Sequence, residues 1–336
     1  LSASLWVGLA LAASLVSIRI GVSVALVEIA VGVFGGNFLG LHTTPWADFL
    51  ASFGAILLTF LAGAEIDPAS FRRHLKPSLA IGTVGFLFPF LGAMAFAYFV
   101  AGWDARSAQI AGIALSTTSV AVVYAVMVET GLNQTDLGKL ILAACFVNDL
   151  GTVLALGVLF ANFDLWMALF VAVTGLTLWR LPAATRWVLA RWSGRVSEPE
   201  VKFAVRTPFY FLQAGLFVSL PAVVAAAGLI AAFLAVKMSS KVVGVWPLTR
   251  AFKMGSREAN YTTMLMSTGL TFGSISALFG LTHGIIDQAQ YSVLVTAVIA
   301  SAVVPTLIAQ TFFRPGTQAV GTAGASGRVP GRRADA

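Results

Sequence analysis

Charge is scarce in this chain. Of its 336 residues 10% are Asp, Glu, Lys or Arg, while 58% are hydrophobic. Soluble domains carry about 25% charged residues, so the shortage excludes an ordinary soluble fold and points to an all-α polytopic membrane protein. Cysteine is nearly absent. The single Cys145 lies inside an apolar run, so no disulfide framework forms within the chain, and the thiol reads as a small packing residue. Histidine is almost as rare, and His42, His74 and His283 all fall in predicted loops. Ser–His hydrolysis needs an imidazole beside its nucleophile, and aspartyl hydrolysis needs a second mid-membrane carboxyl group. Neither is in place, so an enzyme is not expected, and no cofactor is called for.

What the chain has instead is long apolar runs. They fall at 1–18, 20–41, 46–66, 77–101, 107–128, 138–160, 163–181, 204–220, 221–247, 258–281 and 288–313, about eleven candidate spans. A spanning helix needs roughly 20 such residues. The chain opens on Leu1 rather than Met, which reads as a truncated start. Leu1 to Ile18 has no basic residue before it and is read as a first span, not a signal peptide. From Arg314 the tail is rich in Gly, Ala and Arg and reads as disordered.

The basic residues set an orientation. With the N-terminus outside, 18 of the 21 Lys and Arg fall in inner loops or the tail, Arg106 falls outside, and Lys237 and Lys241 stay within a span. Asp48, Asp104, Asp164 and Asp287 all fall outside. This is a strong positive-inside asymmetry, and it predicts a cytoplasmic C-terminus in a cell membrane.

One acid stands apart. In the run from Gly138 to Phe160, Asp149 is the twelfth of 23 residues and follows Asn148, so it sits near the bilayer midplane. A carboxylate there costs about 2.5–3.5 kcal/mol on insertion scales. A use for the charge is therefore expected: one small cation or one proton at a time.

A faint repeat surrounds it. Ala62-Gly63 precedes Ser116-Thr117 by 54 residues, and Ala214-Gly215 precedes Ser267-Thr268 by 53. Pro77 and Pro221 open a span inside each pair, and the two copies lie about 151 residues apart with an inverted entry. Each copy then has a hydroxyl-rich span. The first holds Ser116, Thr117, Thr118 and Ser119; the second holds Ser267, Thr268, Gly269, Thr271, Gly273 and Ser274. Hydroxyls return hydrogen bonds to freed backbone groups and Gly lowers the cost of unwinding, so both spans are predicted to break there. The bland reading, Ser and Thr packing between intact helices, predicts no break. Lys237 and Lys241 share a helix face in the span 221–247. Lys237 is the deeper, with Asp149 or the Asn148 amide oxygen as expected partner, while Lys241 has the alternative of snorkelling to the inner surface. Glu65 reads as interfacial, and Glu28, mid-span, as lining a cavity wall.

These pieces resemble the monovalent cation:proton antiporter superfamily, the sodium/proton and potassium/proton exchangers. The residues that carry the likeness are FLAGAEIDP at 60–68, ALSTTSVAVVYAVMVETGL at 114–132, LILAACFVNDLGTVLALG at 140–157 and KMSSKVVGVWPL at 237–248. The resemblance implies a sodium/proton-antiporter-like fold with inverted repeats and two broken, crossing helices. It implies that Asp149 binds the ion, that Asn148 is its helix partner, that Thr117 and Thr118 belong to the first broken helix, and that Lys241 is a buried cation. Many family members carry Arg-Gly in the second broken helix, where this chain has Thr268-Gly269. They also have about thirteen spans, so two interface helices read as missing between SEPEVKFAVRTPFYFL and what precedes it. The expected layout is interface helices at 1–66, a first core repeat at 77–160, a shortened linker and interface at 163–220, a second core repeat at 221–313 and a cytoplasmic tail at 314–336.

The expected function is secondary antiport of a monovalent cation, Na+ or K+, for H+ at Asp149, with Ser119 also at the site. A single carboxylate at the pair predicts electroneutral exchange, and a homodimer follows if the interface survives. A passive cation channel and a non-transporting remnant are the alternatives.

Overall fold

The computed structural model describes residues 2–20, 24–51, 53–54, 68–160, 208–216 and 220–315, with isolated helical residues between 165 and 180. Ala62-Gly63, Glu65, the basic loop over 181–207 and the tail from residue 316 lie outside the described residues. The elements are α1 (Ser2–Ile20), α2 (Val24–Phe38), α3 (Pro68–Phe99), α4 (Ala105–Ser116), α5 (Val120–Thr130), α6 (Asp136–Phe160), α7 (Pro208–Leu216), α8 (Leu220–Ala225), α9 (Ala227–Ala251), α10 (Ser256–Met266), α11 (Thr271–Thr282) and α12 (Gln288–Ile308). A helical stretch over 45–51 and a π-helical turn at Ala309–Phe313 complete the described set, which contains no strand.

Six segments among the described residues are long and apolar enough to cross a bilayer: His74–Phe99, Ala105–Thr130, Asp136–Phe160, Ala227–Ala251, Ser256–Leu281 and Gln288–Phe313. Two shorter apolar helices cover Ser4–Ile20 and Val27–Phe38. The six fall into two triplets with one pattern, unbroken, broken, unbroken. The first is α3, α4 with α5, and α6; the second is α9, α10 with α11, and α12.

Local chemistry places the ends. Asp104 caps α4, accepting from the backbone N–H of Arg106 and Ser107. Asp287 and Gln290 form a reciprocal capping box at the start of α12. Gly131, at φ +70°, takes the left-handed conformation that closes α5. The Thr135 hydroxyl accepts from the Gly138 N–H at the start of α6. One expectation is corrected here. His74 and Pro77, read as a loop residue and a span opener, both lie inside α3, which begins at Pro68. A hydropathy boundary marks a solvent surface, and a helix keeps its hydrogen bonds past it.

Helix α3 packs along α4, α6 and α9, and so joins the two triplets. Gly82 permits the close approach to α6, because a Cβ there would lie 2.6 Å from the Ala144 carbonyl oxygen. A separate small cluster gathers Trp6, Ala10, Ala47 and Leu212, with Trp6, Trp46 and Phe209 rings in contact. It unites α1, the 45–51 stretch and α7. Helices α2 and α7 touch backbone to backbone: a Cβ on Gly32 would sit 2.1 Å from the Leu212 carbonyl oxygen, and one on Gly215 2.1 Å from that of Ile29. The Val24 N–H donating to a Glu129 carboxylate oxygen (3.1 Å) ties this cluster to α5.

Candidate ion site

Both hydroxyl-rich spans are broken. Residues 117–119 leave the helix between α4 and α5, and residues 267–270 leave it between α10 and α11. Thr117 and Ser119 are extended, at φ/ψ −62°/150° and −83°/104°. The bland reading, intact helices with packed hydroxyls, does not hold here. Non-helical backbone at membrane depth survives only inside protein or along a cavity. Accordingly Ser116, Thr117, Thr118, Ser119, Ser267 and Thr268 are all buried.

The breaks cross and bond. The Ser119 N–H donates to the Thr268 carbonyl (3.2 Å), and the Ser119 and Thr271 hydroxyls lie 3.3 Å apart. The Thr118 hydroxyl donates to the Met266 carbonyl (2.8 Å), one of the orphan acceptors at the end of α10. Within the first break the Thr117 hydroxyl donates to Ala114 O (3.1 Å), and in the second the Thr268 hydroxyl donates to Leu265 O (2.8 Å).

Helix α6 supplies the next layer. Asn148, fully buried, spans the first break: its Oδ1 accepts from the Thr118 N–H (2.9 Å) and its Nδ2 donates to Ser116 O (3.3 Å). Asp149 is 6% exposed, and its Oδ1 is buried with no hydrogen-bond partner. An unsatisfied buried carboxylate oxygen is costly, which makes it an acceptor in want of a cation or a proton. The neighbouring Leu150, Val153 and Leu154 are exposed, so the lipid-facing side of α6 begins one residue past the acid.

Helix α9 brings two ammonium groups. Both Lys237 and Lys241 are fully buried, which removes the snorkelling alternative for Lys241. Lys241 Nζ donates to the Thr118 hydroxyl (2.9 Å) and interacts electrostatically with Asp149. Lys237 is different. Its expected partners were Asp149 or the Asn148 amide oxygen, yet that oxygen is taken by Thr118, and Lys237 Nζ donates to the Ser301 hydroxyl instead (2.9 Å). The physical reason is the crossing itself: four residues along α9 carries the second lysine to the second break, away from α6. Gly269 lies directly against it, since a Cβ there would be 2.2 Å from Nζ.

The structure thus gathers Asp149, Asn148, Thr117, Thr118, Ser119, Lys241, Lys237, Thr268, Gly269 and Thr271 about one crossing. It adds Ser301, which the sequence reading passed over as one serine in an apolar span. Glu28 is buried in α2.

Comparison with known proteins adds relatives. The family described as "Sodium/hydrogen exchanger, transmembrane" matches residues 7–206. "Probable Na(+)/H(+) antiporter 3" of Methanocaldococcus jannaschii is 30% identical over 173 residues, covering 50% of this chain and 44% of that protein. The "Na(+)/H(+)-K(+) antiporter GerN" of Bacillus cereus is 30% identical over 232 residues, covering 65% of this chain and 57% of the other. The chain therefore spans about half the length of these relatives. Among solved structures, the sodium proton antiporter MjNhaP1 of Methanocaldococcus jannaschii superposes with a TM-score of 0.61. The superposition covers 92% of this chain and 98% of that one, at 14% identity, and so speaks to the fold.

Proposed function

The chain belongs to the sodium/hydrogen exchanger family, and from that premise we propose that it exchanges a monovalent cation, Na+ or K+, for a proton at Asp149. The observation that carries this reading is the buried, unpartnered Oδ1 of Asp149 beside two crossing breaks rich in carbonyl and hydroxyl oxygen. The carboxyl group holds a proton or a cation but not both. Movement across the membrane with the site filled by either ion couples the two fluxes. Lys241 balances the carboxylate when it is bare, and Asn148 holds the first break open at the height of the acid. Asn148 cannot ionise, so the pair contributes one carboxylate, and one charge each way makes the exchange electroneutral.

The wider layout follows the same reading. Residues 77–160 and 221–313 form two core repeats within about eleven spans, flanked by interface helices over 1–66 and a shortened linker over 163–220. Two interface helices are missing relative to the family pattern. Such a loss keeps sidedness, with the N-terminus outside and the tail from Arg314 in the cytoplasm. Any homodimer forms through the remaining interface helices.

The test is flux in proteoliposomes. Addition of Na+, K+ or Li+ in turn to acid-loaded vesicles should release protons, and Asp149→Asn should abolish the release while eluting as the parent does from a sizing column. Release that survives Asp149→Asn refutes the assignment. Cation flux without proton movement marks a passive channel, and no flux from well-folded protein marks a remnant.

A further inference from the structure

Helices α6 and α12 hold equivalent places in the two triplets. The step from Asp136, the first residue of α6, to Gln288, the first of α12, is 152 residues. The same step carries Asp149 to Ser301. Ser301 faces the second break, and Asp149 directly follows Asn148, which bonds the first. Ser301 is fully buried, and its hydroxyl donates to Val298 O (2.7 Å) and lies 3.4 Å from Gly269 O. What differs is the occupant. Asp149 has an open oxygen, whereas the Ser301 oxygen is already held by the Lys237 ammonium. A Cβ on Gly269 would also meet Ser301 Oγ and Thr117 Oγ1, each at 3.0 Å, so two hydroxyl oxygens converge beside the place where Nζ sits. Among the described residues no carboxylate pairs with Lys237.

We propose that Lys237 is a tethered cation: its ammonium fills the second repeat's counterpart of the Asp149 site and so leaves the chain one place for a free cation. Hydroxyl and carbonyl oxygens that accept from an ammonium are the same donors an alkali cation takes. The Ser301 hydroxyl that accepts from Nζ, with the Gly269 carbonyl and the Thr117 hydroxyl beside it, is a set of neutral oxygens suited to a monovalent cation. Gly269 is part of the device, since any side chain there would drive the ammonium out. Occupation by a covalently fixed charge makes the second repeat a permanently loaded half, so only the first cycles between ions. This inference rests on Asp149 being the site of the free cation.

The experiment counts cations. Equilibrium dialysis of the detergent-purified chain with radiolabelled Na+ or Rb+ should find one bound cation per chain, and two for Lys237→Ala. The second should be lost again when Ser301→Ala is added. Methylammonium, the head of the side chain without its tether, should displace that second cation. It should also raise the Tm of Lys237→Ala by about 3 °C while leaving the parent unmoved. One cation per chain in both proteins, with no methylammonium effect, overturns the inference. If Lys237→Ala fails to survive extraction, the same variant is extracted in methylammonium and in choline. Recovery of monodisperse protein in methylammonium alone supports the tethered cation, and equal loss in both overturns it. The two readings fail separately. A first cation that still binds after Asp149→Asn sinks the antiport site, whereas its loss there, with none gained in Lys237→Ala, sinks only the role of Lys237.

Discussion

Replacing Asn148 by Ala should unfasten the first break. The amide makes two bonds to backbone groups that lack helix partners, accepting from Thr118 N–H (2.9 Å) and donating to Ser116 O (3.3 Å). All three residues are fully or almost fully buried. A buried group left unsatisfied costs about 1–3 kcal/mol, so two freed groups give a loss of about 2–6 kcal/mol. With an unfolding entropy of about 2.1 cal/mol/K per residue, a chain this long loses about 3–8 °C of Tm. The assay is a fluorescence sizing run on detergent-solubilised protein after a temperature series. Thr152→Ala is the control. Its hydroxyl donates to the Asn148 carbonyl (3.1 Å), a group already inside the α6 ladder, so its removal should move Tm by about 1 °C or less. The full loss is felt where the freed groups find no new partners. In transmembrane helices such bonds average about 0.6 kcal/mol because partners are often found. A drop for Asn148→Ala no larger than that for Thr152→Ala would refute the claim that this amide holds the break open.

Three further outcomes can be checked. Lys241→Met removes the donor to Thr118 and the charge facing Asp149; hydrogen bonds to charged groups are worth about 1.5–3 kcal/mol, so proton-release assays should show a loss of exchange of tenfold or more. Gly32→Val places atoms where the Leu212 carbonyl stands and should part α2 from α7, seen as a loss of monodisperse protein on sizing, while Gly8→Val, with open space around it, should be silent. Asp104 has its carboxyl held below the usual range, chiefly by the Ser107 hydroxyl, against desolvation as the next largest effect and with smaller help from backbone N–H donors. Its folded value lies under its unfolded one, so its contribution is present above about pH 4 and fades as pH falls through the folded value. The Tm advantage of the parent over Asp104→Ala should therefore be full at pH 7 and shrink below pH 4.

Residue type and position made the broken spans legible. Four hydroxyl residues in a row at 116–119, and the Ser-Thr-Gly run at 267–269, announced backbone that would need partners inside a membrane, and both spans open there. Asp149 was legible because one acid amid apolar residues is expensive. The partner of Lys237 was not legible. Helical spacing put Lys237 and Lys241 on one face, which argues for a shared neighbourhood, but a face four residues long reaches two different strands of broken backbone when those cross beneath it. Ser301 was hidden for a related reason, since a lone serine in an apolar helix usually bonds back to its own chain, and this one does so as well. The end of α3 was misread because apolar content fades at Lys76 while the helix runs on to Pro68. The contact of α2 with α7 rests on glycines whose role shows only once the two backbones are seen to touch.

The Ser119 to Thr268 bond has a mechanical consequence. It joins main chain to main chain, at the one level where each broken span is weakest, so neither can flex there without dragging the other. The two triplets are thereby coupled at their common centre, backbone to backbone. Outside that joint, α2 reaches the same body through the Val24 to Glu129 bond and through Ile29, which lies in the main core.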